Sequence, residues 1–445
     1  ILTMKNLKLQ ACLFMLLSAS FSFSQKVSFE EYDLKNGLHV ILHQDNSVPI
    51  VTTSVLYHVG SKNENPERTG FAHFFEHLLF EGTKNIQRGE WFSLVTGNGG
   101  SNNAYTTDDF TYYYENFPSN NLELGLWMES ERMLHPVINQ IGVDTQNEVV
   151  KEEKRMKEDN SPYGKWNEKV KSNLFKVHPY KQTTIGKMEH LDAATLSEFL
   201  AFNKKYYIPN NAVLTVAGDI DITQTKKWID DYFGTIPRGK EIERKLPRES
   251  DIMETIKAEA FDPNIQIPAI FLAYRTPKRN SREARVLDMI STYLSGGKSS
   301  KLYKKLVDEK KMSLEVSAFN ISNEDYSTYV ILSLPIGATK LETLIEEMSE
   351  EVDKIQTELI SEKDYQKLQN QFESSFVSAN STVERIANSL AEYYTFYGDT
   401  DLINKELDLY KSITREEIRS VAQHYLQPNR RLELHYLPES QKEKE

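Results

Sequence analysis

Within the stretch GFAHFFEHLLFEGT, His73 and His77 stand four residues apart, with Glu76 just before the second. At that spacing both imidazoles fall on one helical face, a turn apart, and can reach a single metal ion. Glu76, three residues after His73, projects toward the same face and can touch a water without being a ligand. Two neutral imidazoles and one carboxylate form a catalytic zinc set that leaves the fourth position for water. The metal raises the acidity of that water, and Glu76 is placed to take its proton. The alternative is a helix with satisfied core histidines. A lone histidine would favour it; this constellation does not.

A third ligand has to come from elsewhere, and DTQNEVVKEEKRMKEDN, from Asp144, offers one. Asp144 can cap a helix start, and EVVKEEKRM reads as helical. Val149, Val150 and Met156 define the expected apolar face. Glu153 falls near the centre of that face, while Glu152 lies roughly a quarter turn away. A carboxylate on a buried face is costly unless paired or metal-bound. Glu153 is therefore read as the ligand and Glu152 as solvated. The competing reading makes Glu153 an edge carboxylate in a salt bridge.

These residues need a framework. The chain has 445 residues, 39% of them hydrophobic, enough for a large core and two domains or more. Its formal net charge is −12, which argues against nucleic acid or an anionic membrane as partner. Residues 1–24 read as an export signal. Met4 looks like the start, Lys5 and Lys8 give a basic region, Ala11 to Phe21 a short apolar core, and Ser22 and Ser24 small positions before Gln25. Too little apolar sequence precedes Cys12 for a lipoprotein signal. Cys12 is the only cysteine and leaves with that segment, so thiol catalysis and thiolate metal sites are excluded from the mature chain. The expected location is the periplasm in a Gram-negative source and the outside otherwise. No later apolar run approaches membrane-spanning length.

The mature chain repeats itself. YYIPNNAVLTVAGDID, from Tyr206, and HYLQPNRRLELHYLP, from His424, each end a helix in Tyr, turn at Pro-Asn and enter a β-rich run. LDAATLSEFL and SITREEIRSVA precede them as capped helices. The first parts match more loosely: each reads strand, charged loop, helix. PRGKEIERKLPRES, from Pro237, carries prolines and alternating charge and reads as a linker. The expected architecture is α+β, two similar α/β domains with mixed sheets flanked by helices. Residues 25–236 would form the metal-binding domain, 237–250 the linker, and 251–445 a second domain of similar fold without metal. From Glu283 to Leu294 the second copy of the metal helix holds no histidine. One copy would carry chemistry and the other only shape.

With these motifs the chain resembles the pitrilysin/insulinase-type peptidases, the inverzincins, whose inverted zinc motif is HxxEH. The likeness runs from about Val27 to Pro438 and includes HVGSKNENPERTGFAHFFEHLLFEGT and an E-V-V-x-x-E run that places Glu153 at the family's third-ligand distance. GGSNNAYTTDDFTYYYENFP resembles the family's substrate strand, which implies that Asn103 and Ala104 lie near the scissile bond of a peptide paired with an edge strand. LSGGKSSKLYKKLVDEKKM resembles the second-domain signature. The chain is most similar to the processing-peptidase branch, which includes the β subunit of mitochondrial processing peptidase. The resemblance implies one Zn2+ per chain and cleavage of peptides or unfolded segments inside a closed chamber.

Two positions depart from that pattern. The family often has an acid seven residues before the third ligand; here it is Gln146, which can hydrogen-bond but cannot act as a base. Active members also carry an Arg and a Tyr, seven apart, that bind substrate and stabilise the oxyanion. The matching positions here are Val307 and Leu314. Losing one oxyanion donor costs on the order of a hundredfold in rate. The chain thus reads as the metal half of a split site, the catalytic subunit of a heterodimer whose partner lacks the metal ligands and supplies Arg and Tyr. A different reading is a non-catalytic peptide-binding or assembly protein of the same fold. A third, a self-sufficient homodimer, would need another donor such as Arg275 or Tyr274.

Other residues read as structural. His58 sits at a strand end, and His39 and His43 share one strand face, read as solvated. His178 has no assigned role. Tyr112, Tyr113 and Tyr114 fit a strand near the substrate. Trp91, Trp127, Trp166 and Trp228 all fall in the first domain and read as its core.

Overall fold

The computed structural model describes residues 26–442, so the export signal read over 1–24 lies outside the described residues. Two sheets organise the chain. The first contains β1 (Glu30–Asp33), β2 (His39–Gln44), β3 (Ile50–Tyr57), β4 (Ser101–Thr106), β5 (Thr111–Pro118) and β6 (Ala212–Gly218), in the order β1-β2-β6-β3-β5-β4. The second contains β7 (Ile256–Asp262), β8 (Ala269–Thr276), β9 (Ser313–Ile321), β10 (Ser327–Pro335) and β11 (Arg431–Pro438), in the order β7-β11-β8-β10-β9. Without β1 the two orders are the same. Each starts with a parallel pair, β2–β6 or β7–β11, and continues antiparallel to an edge, β4 or β9.

The registers coincide as well. Ala212, the first residue of β6, faces Tyr57, which faces Thr111, which faces Thr106. Arg431, the first residue of β11, faces Tyr274, which faces Tyr329, which faces Asn320. Register is fixed where a face is buried, because a one-residue slip turns every side chain over. The matching rungs therefore mark one fold used twice. The helices that lead into β6 and β11 repeat the same devices. Thr195 and Glu198 form a capping box at the start of Leu196–Tyr206, and Thr414 and Glu417 do so for Arg415–Tyr425.

Each sheet is covered on both faces. The first packs one face on helices Phe71–Leu78, Leu122–Leu134, Leu196–Tyr206 and Ile222–Phe233 through a core that includes Val55, Phe75, Leu126, Phe199 and Leu214. Its reverse face, with Ile41, Leu56, Tyr112 and Val213, is covered by Ile386, Leu390 and Ala391 of helix Val383–Glu392 from the second half. The second sheet receives the reciprocal cover. Val170 and Leu174 of helix Trp166–Leu174 pack on Ala273, Val330 and Leu434. The halves thus exchange one helix each, and each buried aliphatic side chain there is worth about 1.5–3 kcal/mol.

This exchange corrects two expectations. Trp166 does not serve the core of its own half; its ring stacks on Phe271 of the second sheet at 5.7 Å. His39 and His43 are buried rather than solvated, because the segment before β2 and the second half fold over that strand. His39 stacks on Tyr394 at 3.4 Å and bonds Asp33, while His43 meets the carbonyl of Ser28 at 2.6 Å. No helix among the described residues is long and apolar enough to cross a membrane.

Candidate metal centre

Helix Phe71–Leu78 buries Phe71, Phe74, Phe75 and Leu78, spaced i, i+3, i+4 and i+7, against Phe199 and Phe202. That stripe leaves His73, Glu76 and His77 on an adjoining face. The helix starts at Gly70, whose φ of 93° favours glycine and whose missing Cβ leaves room for the Ile185 carbonyl, 2.7 Å from where it would sit. Buried Glu64 serves this start. Its two carboxylate oxygens accept the backbone N–H groups of Gly70 and Ala72, each at 2.8 Å.

Glu153 arrives on helix Gln140–Lys154. The expected cap is wrong: Asn139, not Asp144, starts this helix, accepting the Gly142 N–H at 2.9 Å. The expected apolar face is also wrong, since Val149 and Met156 are exposed. The inward stripe is Val143, Gln146, Val150 and Glu153. Only its two valines are apolar, because the helix rests on the metal helix through a narrow seam and not on a broad core. Glu153 still lands on the inward side, half-buried.

Three ligand-type atoms converge. His73 Nε2 and His77 Nε2 are 3.3 Å apart, and Glu153 Oε2 lies 3.3 Å from the first and 3.1 Å from the second. Among the described residues they form the one group of three or more such side chains close enough to share an ion. Ligands about 2.0–2.1 Å from a tetrahedral zinc stand roughly 3.3 Å from one another, so the spacing fits that ion. The donor set fits as well: two imidazoles, one carboxylate and no sulfur. Burial opposes ionisation of Glu153, but hydrogen bonds from His73 and His77 and from Lys157 outweigh it and hold the carboxyl well below the usual carboxylate range. Lys157 Nζ bonds the other carboxylate oxygen at 2.6 Å.

Glu76 stands outside this triad. Its Oε2 accepts the hydroxyl of Thr106 at 2.7 Å. Thr106 ends β4, the edge strand that carries Asn103 and Ala104, so the acid is tied to the strand on which a peptide would pair. Asn103 folds its side chain back onto the Ala104 N–H at 2.9 Å. Neither residue lies within the triad of ligand-type atoms. Gln146 donates to Glu81 at 2.5 Å, and Arg88 holds Glu81 from the other side. Thr106, Glu64 and Glu81 escaped the sequence reading. Thr106 and Glu81 act through long-range side-chain bonds, whereas Glu64, an acid shortly before a helix start, acts locally.

The second half offers no obvious oxyanion donor at the expected positions. Val307 is half-buried against the second core, and Leu314 is exposed near the start of β9. Tyr274 is fully buried, with Arg431 donating toward its hydroxyl at 3.3 Å. Arg275 donates to the carbonyls of Ser250 and Leu174. His58 bonds Glu324 at 2.7 Å across the two halves, and His178 is buried beside Asp325.

Two family models match this chain. The one described as Insulinase (Peptidase family M16) covers residues 39–187, and the one described as Peptidase M16 inactive domain covers 193–372. The chain belongs to the pitrilysin/insulinase family, M16. It is 29% identical over 386 residues to the zinc protease PqqE of Helicobacter pylori, spanning 85% of this chain and 87% of that one. It is 25% identical over 402 residues to an uncharacterized zinc protease of Rickettsia felis, spanning 89% and 95%. A crystal structure of a protease from Helicobacter pylori superimposes with a TM-score of 0.86 at 26% identity, covering 92% of this chain and 99% of that one. The periplasmic protease PqqL of Escherichia coli shares the fold, with a TM-score of 0.76 at 19% identity over 94% of this chain and 48% of PqqL.

Proposed function

We propose that this protein is an exported zinc endopeptidase of peptides or unfolded segments, with His73, His77 and Glu153 as ligands and Glu76 as general base. The convergence of three ligand atoms beside a carboxylate tied to an edge strand carries this reading. A zinc ion held there would acidify a water and polarise the scissile carbonyl. Glu76 would take the proton of the attacking water and pass it to the leaving amine. Thr106 fixes the carboxylate through one oxygen and leaves the other free for that transfer. The N–H and C=O groups along the open side of β4, around Asn103 and Ala104, would hold the peptide extended. Gln146 would steady Glu81 beside the ligand helix.

The same reading divides the chain into a metal-binding domain to residue 236, a linker over 237–250 and a second domain beyond it. It makes the active form a heterodimer, because Val307 and Leu314 cannot donate hydrogen bonds to an oxyanion. The partner would be a second family member without the metal ligands but with the Arg/Tyr pair. Those two positions also favour the second reading, a non-catalytic peptide-binding or assembly protein.

The test is to assay the zinc-loaded chain on unstructured peptides, alone and mixed with such a partner. Cleavage only in the mixture, abolished by Glu76→Gln, supports the split site. Full cleavage by the chain alone overturns the heterodimer. Zinc binding without cleavage in either case shifts the reading to a binding protein.

A further inference from the structure

The cover of the two sheets differs at one end. In the first half, helix Ile222–Phe233 follows β6 and brings Ile229 and Phe233 into the core that holds Val40 and Leu42 of β2 and Leu214 and Val216 of β6. Its flanks are tied. Lys226 donates to Glu30 of β1 at 2.6 Å, and Tyr232 donates to Glu123 of helix Leu122–Leu134 at 2.9 Å. In the second half, β11 runs into the short turn Glu439–Gln441, and among the described residues no α-helix follows it.

The matched rungs show what that leaves open. In the first sheet Val40 faces Leu214 and Leu42 faces Val216. At the same places of the second sheet, counted from Ala212 and Arg431, Lys257 faces Glu433 and Glu259 faces His435. Four apolar side chains sealed from water are replaced by four titratable ones, and Lys257 and Glu259 are exposed. Between these strands and helix Leu341–Thr357 runs a groove of about 630 Å³, walled on the helix side by Glu342, Ile345 and Glu346.

The charge of this groove is one-sided. Arg431 matches Glu433 at 2.6 Å, but among the described residues Glu259, Glu342 and Glu346 form no ion pair, and Lys257 is the one lysine or arginine on the groove's walls. Glu342 holds the second position of its helix, as Glu123 does in the first half, where Tyr232 supplies its hydrogen bond. A face that a partner covers and leaves has to be soluble when bare. The charged rungs meet that need; the apolar set of the first half would not.

We propose that this groove is a docking site for a lysine- or arginine-bearing α-helix of a partner protein, seated where helix Ile222–Phe233 sits in the first half. The occupant is a helix because a helix fills the matching place. It is basic because carboxylates outnumber cations around the groove. The inference depends neither on the metal centre nor on peptide cleavage.

The test is fluorescence anisotropy of the full chain in EDTA with three labelled alanine-based peptides. One carries lysine at every fourth position, and one carries glutamate at the same positions. The third keeps the lysines and adds a central proline, which preserves the charge and breaks the helix. Charge-assisted contacts should make the lysine helix bind about tenfold more tightly than either of the others. Glu342→Lys combined with Glu346→Lys, both at exposed positions, should remove that preference. Glu259→Lys, on the opposite wall, should weaken it independently and keeps the test open if the double variant does not fold. Equal binding of the lysine and proline peptides overturns the helix, and equal binding of the lysine and glutamate peptides overturns the charge match. No binding of the lysine helix, or a preference that survives both sets of substitutions, overturns the site.

Discussion

The ammonium of Lys62, from the first half, lies 2.9 Å from the carboxylate of Asp325, from the second. It also meets Asp109 at 3.0 Å and Glu324 at 2.5 Å, and only 4% of its side chain is exposed. One cation therefore holds carboxylates from both halves beside the start of the metal-helix segment.

This junction should fail in acid. Burial alone would raise the carboxyls of Glu324 and Asp325, but His58, His178 and Lys62 outweigh it and lower both, Glu324 to about 2. A depressed carboxyl contributes stability above its unfolded pKa and loses it as pH falls through the folded value. The loss here runs from 4.5 down toward 2 for Glu324. Urea denaturation followed over that range should show falling stability, and Lys62→Met should flatten the slope. At neutral pH the same variant should cost about 3–5 kcal/mol, because it leaves buried Asp109 without its cation.

A second buried cation supports the first core. Arg132 bonds Glu115 at 2.8 Å and lies 3.1 Å from Glu129, with all three side chains fully buried. Its guanidinium lies over the rings of Trp91, Tyr113 and Phe80. Burial, with Glu129 as neighbour, pushes the Glu115 carboxyl well up, so the arginine faces a carboxyl that favours its proton. Arg132→Met should destabilise by about 3–5 kcal/mol in chemical denaturation, and adding Glu115→Gln should recover part of that loss.

The proposed metal centre should respond to its candidate ligands one by one. Isothermal titration with zinc should give one equivalent for the native chain and at least about tenfold weaker binding for Glu153→Gln, which keeps the shape but loses the charge. Lys157→Ala should leave zinc affinity within about threefold, since the lysine is exposed and its pair with Glu153 is a surface i, i+4 contact. Chelation should lower the melting temperature of the native chain and leave that of His73→Ala unchanged.

The metal motif was legible because its chemistry is local: His73, Glu76 and His77 share one helix, and the helical period alone aligns them. Glu153 lies beside the two histidines for a different reason than the expected one. The apolar face assigned to its helix included Val149 and Met156, which are exposed, while the true inward stripe carries Gln146 and Glu153 among only two valines. Periodicity cannot tell a narrow helix–helix seam from a broad buried face. The repeat was legible in the Thr-x-x-Glu caps and Pro-Asn turns, which are local devices. The reciprocal exchange of helices was not. Nothing in the periods of Trp166–Leu174 and Val383–Glu392 says whose sheet they cover.

That exchange yields the last prediction. The reverse face of the first sheet depends on Leu390 and its neighbours, which lie in the other half of the chain. Leu390→Ala should cost about 2–5 kcal/mol, the range for a fully buried leucine. Its local signature should appear far away in sequence, as faster amide exchange in β3 and β6 as well as in its own helix. The first half expressed alone, residues 26–250, would expose Ile41, Leu56, Tyr112 and Val213 on one continuous apolar face. It should bind hydrophobic dyes and aggregate, and co-expression with residues 251–445 should restore solubility and a single cooperative melt. If residues 26–250 instead melted cooperatively alone, with native exchange protection in β3 and β6, the exchanged helices would be accessories and not part of each half's core.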